Sequence, residues 1–339
     1  MFFKLVQFAF AILNRFFVKG EVTKTQNKPG VAYIFPGQGS QFVGMGLELY
    51  KTSRRAKEIF DLVDTSLSFP LSKLMFDGPT SELEKTVNSQ PAIMAASLAS
   101  LAALEECAPC EQPEPVAFAG HSLGEYTSLV AAGVVDLADG FRLVRERGSL
   151  MQRAAERQSG GMAAIIGLDD VTLEEVCQET GVEIANVNSD DQIVISGDRI
   201  ALARAMDLAS ARGARKTIPL AVAGAFHSQL MAPAQEGLCQ ALGQTTFREP
   251  KAPIVANLSG QMLTTGEEIK EELKNQLCNC VRWKQSVECM IDMGVSTFVE
   301  FGPGRVLTSL VKRIDRQAKT VNVGDVDSAQ KVAVQSSSL

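Results

Sequence analysis

One heptapeptide constrains the fold more than any other stretch: residues 120–126, with the sequence Gly-His-Ser-Leu-Gly-Glu-Tyr. A short apolar run, residues 116–119, precedes it, and an alanine-containing run that favours a helix, residues 127–132, follows it. A Gly-x-Ser-x-Gly pattern between a strand and a helix is typical of a nucleophile elbow, in which a strained backbone exposes the serine hydroxyl. The sequence therefore predicts Ser122 as a nucleophile. The alternative is a plain strand-to-helix turn with an idle serine.

Two backbone N–H groups are predicted to face the oxyanion that would develop beside this serine. The first belongs to Leu123, which opens the predicted helix, where the N–H groups and the helix dipole favour negative charge. The second lies in residues 36–41 (Pro-Gly-Gln-Gly-Ser-Gln), directly after a predicted strand over residues 31–35. That turn lacks the lysine of a phosphate-binding loop, so a nucleotide site is disfavoured. A turn placed there can instead bring a second N–H donor to the site.

A serine needs a base to become a good nucleophile, and the chain has two histidines. His121 precedes the serine on the elbow, where its side chain would point away. His227 follows a predicted strand, at the kind of junction where active-site residues of α/β sheets collect. Elimination therefore favours His227 as the base. The alternative is a structural histidine.

A third group usually orients the histidine, and the chain offers no well-placed acid for this task. The candidates Asp169, Asp190 and Asp207 all fall in the predicted small subdomain. We therefore expect a serine–histidine dyad in which a backbone carbonyl accepts a hydrogen bond from the second ring nitrogen.

The order of predicted elements indicates an α/β fold: a hydrolase-like domain with a mostly parallel sheet. Residues 158–223 show the order β-α-β-β-α-β, which is the signature of a ferredoxin-like subdomain inserted in the larger domain. The larger domain then comprises residues 29–157 and 224–325. Residues 326–339 are polar and are expected to be a disordered tail.

The helical pattern predicts one helix over about 44–65 and a long one over about 90–106, with Pro91 in its first turn. A further helix over 137–157 carries four arginines, a pattern that most often marks a solvated helix face. These arginines are Arg142, Arg145, Arg147 and Arg153.

Charge and cysteine content exclude several functions. A net charge of −6 without a basic stripe argues against nucleic acid as a partner. The seven cysteines have no histidine near them, which favours reduced thiols over a metal site. We expect no metal and no other cofactor.

Residues 1–20 contain six phenylalanines, three basic residues and no acid. Their apolar runs are shorter than the roughly 18 residues of a membrane-spanning helix. We interpret residues 1–28 as an N-terminal extension, either a targeting segment or a dispensable one, with a membrane-surface helix as a further alternative. We expect a cytoplasmic protein without stable membrane association, or an organellar one if the extension is an address.

Several motifs, spread over about residues 31–323, together indicate a family. They are residues 35–41, 120–126, the arginine at 147, 186–189, 224–228 and 276–283. With these motifs in the expected order and at the expected spacing, the chain resembles the malonyl-CoA:acyl carrier protein transacylase family of type II fatty acid synthesis.

The resemblance implies roles for six residues of this chain. They are the nucleophile Ser122, the base His227, the oxyanion-hole N–H groups of Gln38 and Leu123, the carboxylate-binding Arg147, and Gln276, whose backbone carbonyl orients the histidine. The Phe226-His227 pair resembles the form found in malonyl-specific members. Cys280 stands where the family commonly has proline, which puts a local turn in doubt and not the chemistry.

The resemblance implies transfer of a malonyl group from malonyl-CoA to the phosphopantetheine thiol of holo-acyl carrier protein, through a malonyl-serine intermediate. The expected partners are malonyl-CoA and the carrier, and the expected state is a monomer. The alternatives are an acyltransferase of polyketide synthesis, a serine thioesterase or esterase on the same elbow, and a non-enzymatic binding module.

Overall fold

The computed structural model describes residues 30–108 and 114–336. The strands are β1 (Gly30–Phe35), β2 (Ala117–Gly120), β3 (Gly160–Ile166), β4 (Glu183–Ser189), β5 (Gln192–Asp198), β6 (Lys216–Pro219), β7 (Ile254–Val255), β8 (Met262–Leu263), β9 (Val295–Phe301) and β10 (Lys319–Val323).

The α-helices are α1 (Leu47–Thr52), α2 (Arg54–Leu67), α3 (Leu71–Asp77), α4 (Thr80–Leu83), α5 (Thr86–Cys107), α6 (Leu123–Ala131), α7 (Leu137–Arg157), α8 (Asp170–Thr180), α9 (Arg199–Ala211), α10 (Ala232–Gln244), α11 (Gly266–Gln276), α12 (Trp283–Asp292), α13 (Val306–Ile314) and α14 (Val326–Ser336). A 3₁₀ turn (Gln229–Met231) precedes α10.

The larger sheet has the strand order β10-β9-β1-β2-β7-β8. Its pairs are parallel except for the antiparallel pair of β7 and β8 at one edge. One face packs on a core that includes α5, α6 and α7, and the other face packs on α12 and α13 around Trp283. Both faces are covered, so β1 and β2 are continuous apolar runs and not alternating ones. The prediction of an α/β fold with a mostly parallel sheet is confirmed.

This sheet fixes where the functional side chains meet. β1, β2 and β7 are neighbours and run parallel, with Phe35 in register with Gly120. Residues that follow parallel strands gather at the same edge of the sheet, which is where α/β proteins bind their ligands. The turn after β1, the elbow after β2 and the loop after β7 therefore lie side by side.

The smaller sheet is antiparallel, with the order β4-β5-β3-β6. The helices α8 and α9 cover one face of it and enclose a separate apolar core. The chain order and the strand order are those of a ferredoxin-like unit, so that part of the predicted fold is also confirmed.

The prediction of a single helix over 44–65 is wrong, because the chain breaks at Ser53. This residue has an extended backbone, with φ −115° and ψ 123°, and its side chain accepts a hydrogen bond from the N–H of Ala56. It therefore ends α1 and serves as the N-cap of α2.

The long helix also begins earlier than predicted. α5 starts at Thr86, which puts Pro91 inside the helix and not in its first turn. Its first turns carry polar residues that resemble a solvated loop in the sequence, but Asn88 and Gln90 are buried. α5 is long and apolar enough to cross a membrane, but nearly all of it is buried inside the protein, as in a core helix.

The prediction of a disordered tail from residue 326 is wrong for residues 326–336, which form α14. Ala329, Val332 and Ala333 are buried in the main core. Their spacing of three and four residues puts them on one face of a helix, a signal that the polar composition of the tail obscured. The predictions made for residues 1–28 lie outside the described residues.

Candidate active site

Ser122 lies at the turn between β2 and α6 in a strained conformation, with φ 51° and ψ −100°. The turn is possible because Gly120 and Gly124, two positions before and after Ser122, have no side chains. A Cβ on Gly120 would lie 1.9 Å from the backbone of Gly124, and a Cβ on Gly124 would lie 2.0 Å from the carbonyl oxygen of Phe35. Strain of this kind persists only where the surrounding structure enforces it, and it is concentrated at functional sites.

The structure brings His227 to this serine. Ser122 Oγ lies 2.7 Å from His227 Nε2, although the two residues are 105 positions apart. His227 Nδ1 lies 3.1 Å from the carbonyl oxygen of Gln276 and 3.2 Å from that of Asn279. Carbonyl oxygens only accept, so Nδ1 carries the proton, and Nε2 is left with a lone pair toward the serine hydroxyl.

This environment keeps the imidazole neutral. His227 is 3% exposed. Burial, with a further contribution from the positive charge of Arg147, lowers the pKa of His227 to about 3. A neutral ring at physiological pH is the form that can accept a proton from Ser122.

Arg147 is buried against the same hydroxyl, at 1% exposure, so it does not belong to a solvated helix face. Its Nη2 donates to Ser122 Oγ at 3.1 Å and to Gln276 Oε1 at 2.9 Å, and its Nη1 donates to Gln90 Oε1 at 2.8 Å. Its guanidinium lies 5.0 Å from the centre of the Tyr126 ring.

These partners of Arg147 are all uncharged. Within residues 30–108 and 114–336, no carboxylate forms an ion pair with it. Burial lowers the pKa of this guanidinium, so its charge is costly to hold without an anion nearby. A buried cation of this kind favours binding of an anion beside Ser122.

The two predicted oxyanion donors lie at the same cavity. Leu123 is the first residue of α6, and Gln38 lies in the turn after β1; both line the cavity with Ser122. The turn is pressed against the elbow, since a Cβ on Gly37 would lie 2.6 Å from the carbonyl oxygen of His121. The N–H of Ser122 itself is occupied, because it donates to Asn257 Oδ1 at 2.7 Å.

The cavity holds about 230 Å³ and lies between the two sheets. Ser122, Arg147 and His227 line one side of it. Apolar side chains from the small subdomain, Met162 and Val194 among them, line the other. The arrangement combines a serine hydroxyl in contact with a neutral histidine, a buried cation and a partly closed, largely apolar slot.

His121 lines the same cavity, and its ring packs against Trp283 with the two centroids 5.8 Å apart. Its Nε2 lies 2.9 Å from Asn188 Oδ1 in the small subdomain. In the described part of the chain, no three His, Cys, Asp or Glu side chains cluster closely enough to hold a metal ion.

Sequence reasoning missed several polar partners of the site. Asn257 accepts from the Ser122 N–H and donates through Nδ2 to the carbonyl oxygen of Gly120 at 2.7 Å, so it braces the elbow. Gln90 holds Arg147, and Asn279 shares the histidine proton. Asn257 had a usable signal, because it follows the short apolar run of residues 254–256, which contains the main-sheet strand β7.

Comparison with known proteins gives a consistent result. The family model described as "Acyl transferase domain" matches residues 32–333. The chain is 43% identical over 305 residues to the malonyl CoA-acyl carrier protein transacylase of Bacillus subtilis (strain 168), covering 88% of this chain and 95% of that protein.

Two solved structures are similar over nearly their whole length. The acyl-carrier-protein-S-malonyltransferase from Bartonella henselae has a TM-score of 0.87 and 39% identity, covering 91% of this chain and 99% of that one. A malonyl-transacylase in complex with its type II PKS acyl-carrier protein has a TM-score of 0.87 and 39% identity, covering 90% and 99%.

Proposed function

The chain belongs to the acyl transferase domain family, as the motifs predicted, and we propose that it is an acyl carrier protein S-malonyltransferase. It moves a malonyl group from malonyl-CoA to the phosphopantetheine thiol of an acyl carrier protein. The observation that carries this proposal is the buried Arg147, which donates to the nucleophile's own oxygen and has no carboxylate partner among the described residues. The names of the relatives support the same activity.

In the first half-reaction, Ser122 Oγ attacks the thioester carbonyl carbon of malonyl-CoA while His227 Nε2 takes the hydroxyl proton. The carbonyl oxygen becomes an oxyanion, for which the N–H groups of Leu123 and Gln38 are the donors. Each such donor is worth about 3–4 kcal/mol. The C–S bond then breaks, and the coenzyme A thiolate leaves with the proton that His227 returns.

The second half-reaction runs the same steps with the carrier. The phosphopantetheine thiol enters the slot and gives its proton to His227, and its sulfur attacks the malonyl-serine ester. The C–O bond to Ser122 breaks, and the serine recovers the proton from His227. The same serine–histidine dyad therefore serves both half-reactions, and this chain supplies every catalytic group that the two half-reactions use.

Arg147 selects the acyl group. Malonyl differs from acetyl by one carboxylate, which must lose its hydration to enter the cavity, and a desolvated charge without a partner costs several kcal/mol. The planar guanidinium can form two parallel hydrogen bonds with a carboxylate, and its position beside Ser122 Oγ matches the short distance between the two ends of a malonyl group.

The rivals on the same elbow lack a supporting observation of this kind. A thioesterase or esterase has no need of a buried cation, and a binding module has no need of a neutral histidine at 2.7 Å from the serine. An acyltransferase of polyketide synthesis would use the same chemistry, and one similar structure contains a type II PKS carrier. We propose fatty acid synthesis as the pathway, and transfer rates to the two classes of carrier distinguish the two roles.

We further propose that the protein acts as a cytoplasmic monomer. The dyad, both predicted oxyanion donors and Arg147 come from one chain, which supports a site that needs no second copy. If residues 1–28 act as an organelle-targeting signal, a full-length fluorescent fusion enters the organelle and a fusion that lacks these residues does not.

Intact-protein mass spectrometry tests the proposed function. After mixing with malonyl-CoA, the wild type gains the mass of one malonyl group, and it loses that mass when holo-acyl carrier protein is added. Ser122→Ala keeps its fold and gains no mass, because the hydroxyl that accepts the malonyl group is gone. A malonyl adduct on Ser122→Ala, on a cysteine for example, would contradict the assignment.

A further inference from the structure

Glu125 is a buried acid of the elbow heptapeptide for which the chemistry above has no use. It is 1% exposed, and within the described residues no cation forms an ion pair with it. Burial, with the nearby Glu272 carboxyl, raises the pKa of Glu125, so this group is costly to keep as an anion. A side chain that costs stability in this way is expected to serve another purpose.

The two carboxyl oxygens of Glu125 are both used as acceptors. Oε1 accepts from the backbone N–H of Asn257 at 3.1 Å, and Oε2 accepts from Nε2 of Gln276. Asn257 is the residue that holds the Ser122 N–H, and Gln276 is the residue that contacts both Arg147 and His227. Glu125 therefore connects Asn257, which holds the Ser122 N–H, to Gln276, which holds Arg147.

The side-chain amide of Gln276 is fully committed in this arrangement. Its Nε2 donates to Glu125 Oε2 and to the carbonyl oxygen of Ser122, the latter at 2.9 Å. Both of these partners are acceptors, so the NH₂ group must face them, and the amide oxygen must face the other way. That oxygen lies 2.9 Å from Arg147 Nη2, the same nitrogen that donates to Ser122 Oγ.

From this network we infer that Glu125 is a positioning residue for malonyl specificity. It fixes the orientation of the Gln276 amide, and the amide oxygen in turn holds Arg147 beside Ser122. The inference rests on the proposed function, because it assigns the held arginine to the malonyl carboxylate.

The Glu125→Gln substitution keeps the size of the side chain and removes one acceptor. The backbone N–H of Asn257 cannot move, so we expect the new amide to keep its oxygen toward Asn257 and to turn its NH₂ toward Gln276. Two NH₂ groups then face each other unless Gln276 flips. A flip puts the Gln276 oxygen against the Ser122 carbonyl oxygen and its NH₂ against Arg147, so Arg147 Nη2 loses one of its two acceptors and keeps only Ser122 Oγ.

The test compares the second-order rate constants for acylation of Ser122 by malonyl-CoA and by acetyl-CoA. The reaction is rapidly quenched, and the acylated fraction is measured by intact-protein mass spectrometry. We expect Glu125→Gln to lower the malonyl-to-acetyl rate ratio by about tenfold or more, the scale of one hydrogen bond to a charged group. The acetyl rate changes much less, because acetyl has no carboxylate to bind.

Glu272→Gln is the matched control. It removes a neighbouring carboxylate, whose Oε1 accepts from the N–H of Leu258 at 2.7 Å and which has no hydrogen bond to Gln276. We expect this variant to keep the wild-type rate ratio. A similar fall in the ratio for both variants would overturn the proposal, since the loss of any nearby negative charge would then be the cause.

A second variant decides the matter if Glu125→Gln does not fold. Gln276→Ala removes the amide but keeps the backbone carbonyl that faces His227, so it should lower the rate ratio by itself. Where Glu125→Gln does fold, the double variant should lower the ratio no further than Gln276→Ala alone. A wild-type ratio in Gln276→Ala, or in a folded Glu125→Gln, overturns the proposal, as does an equal fall of both rates. Failure of the proposed function looks different, because the wild type itself would then show no preference for malonyl.

Discussion

His227 is a residue whose protonation state the fold sets. Its ring is buried beside Arg147, and both burial and the arginine lower the pKa of His227, to about 3. In the proposed mechanism the neutral ring is the active form, so activity is lost as the pH falls through the pKa of His227 in the folded enzyme. An enzyme whose base is a histidine with the usual pKa of about 6.5 would lose half of its activity near that pH.

We therefore predict that kcat/KM for acetyl-CoA stays level from about pH 8 down to about pH 5.5, well above the lowered pKa of His227. Acetyl-CoA is used for this measurement because, unlike malonyl-CoA, it brings no acyl carboxylate that could titrate near the site. The measurement is a pH profile of kcat/KM, which reports the free enzyme. A midpoint near the usual histidine pKa of about 6.5 would show that burial does not keep His227 neutral.

The same profile separates the electrostatic effect of Arg147 from its contacts. Arg147→Ala removes a positive charge that lowers the pKa of His227, so the acid limb should move to higher pH. Arg153→Ala is the control, since Arg153 lies on the same helix, pairs with Glu146 and is about half exposed. This second variant should leave the profile unchanged.

At the level of elements, the elbow depends on close contact between α6 and β1. A Cβ on Gly124 would lie 2.0 Å from the carbonyl oxygen of Phe35, which is backbone and cannot yield as a flexible side chain can. We predict that Gly124→Ala lowers the free energy of unfolding by about 3 kcal/mol or more, at the upper end for overpacking. Urea denaturation measures this loss.

Gly243→Ala is the matched control, because Gly243 is also a helical glycine. Apart from its chain neighbours and the adjacent backbone of its own helix, no described atom lies within 4 Å of the position that its Cβ would take. Alanine is the better helix former, so this variant should gain up to about 0.5–1 kcal/mol. The same chemical change should therefore have opposite signs at the two sites. Equal effects would mean that the close approach at the elbow does not limit stability.

The elements that the sequence predicted correctly are those whose pattern is local. The elbow, the parallel sheet and the ferredoxin-like unit follow from strand, turn and helix signals within short windows. The errors at Thr86 and at residues 326–336 have a common cause, since each depends on what a polar segment packs against. A polar stretch resembles a loop in the sequence even when it forms a helix. Its few apolar side chains, or its polar groups, then find their partners on a helix that is distant in the chain. The missed break at Ser53 is different, because a local N-cap produces it.

On the scale of the whole molecule, the site is assembled from segments far apart in the chain. The turn after β1, the elbow after β2, α7, the segment at His227 and the end of α11 meet at one edge of the sheet. The family motifs named at least one residue in each of these five segments, and the structure brings these residues together. Individual hydrogen bonds, such as those from Asn257 to the elbow and from Gln276 to Glu125, depend on side-chain geometry that no local sequence pattern specifies.

The central claim is that a buried arginine, held next to the nucleophile, makes this acyltransferase specific for malonyl. Steady-state kcat/KM for malonyl-CoA and acetyl-CoA on the wild type, Arg147→Ala and Arg147→Lys tests it most directly. We predict that Arg147→Ala loses a factor of about 10²–10³ with malonyl-CoA, or about 3–4 kcal/mol, and keeps or improves its rate with acetyl-CoA. Arg147→Lys recovers only part of the malonyl rate, because the charge remains and the planar fork is lost. An equal fall with both substrates would contradict the account, since Arg147 would then be a structural residue.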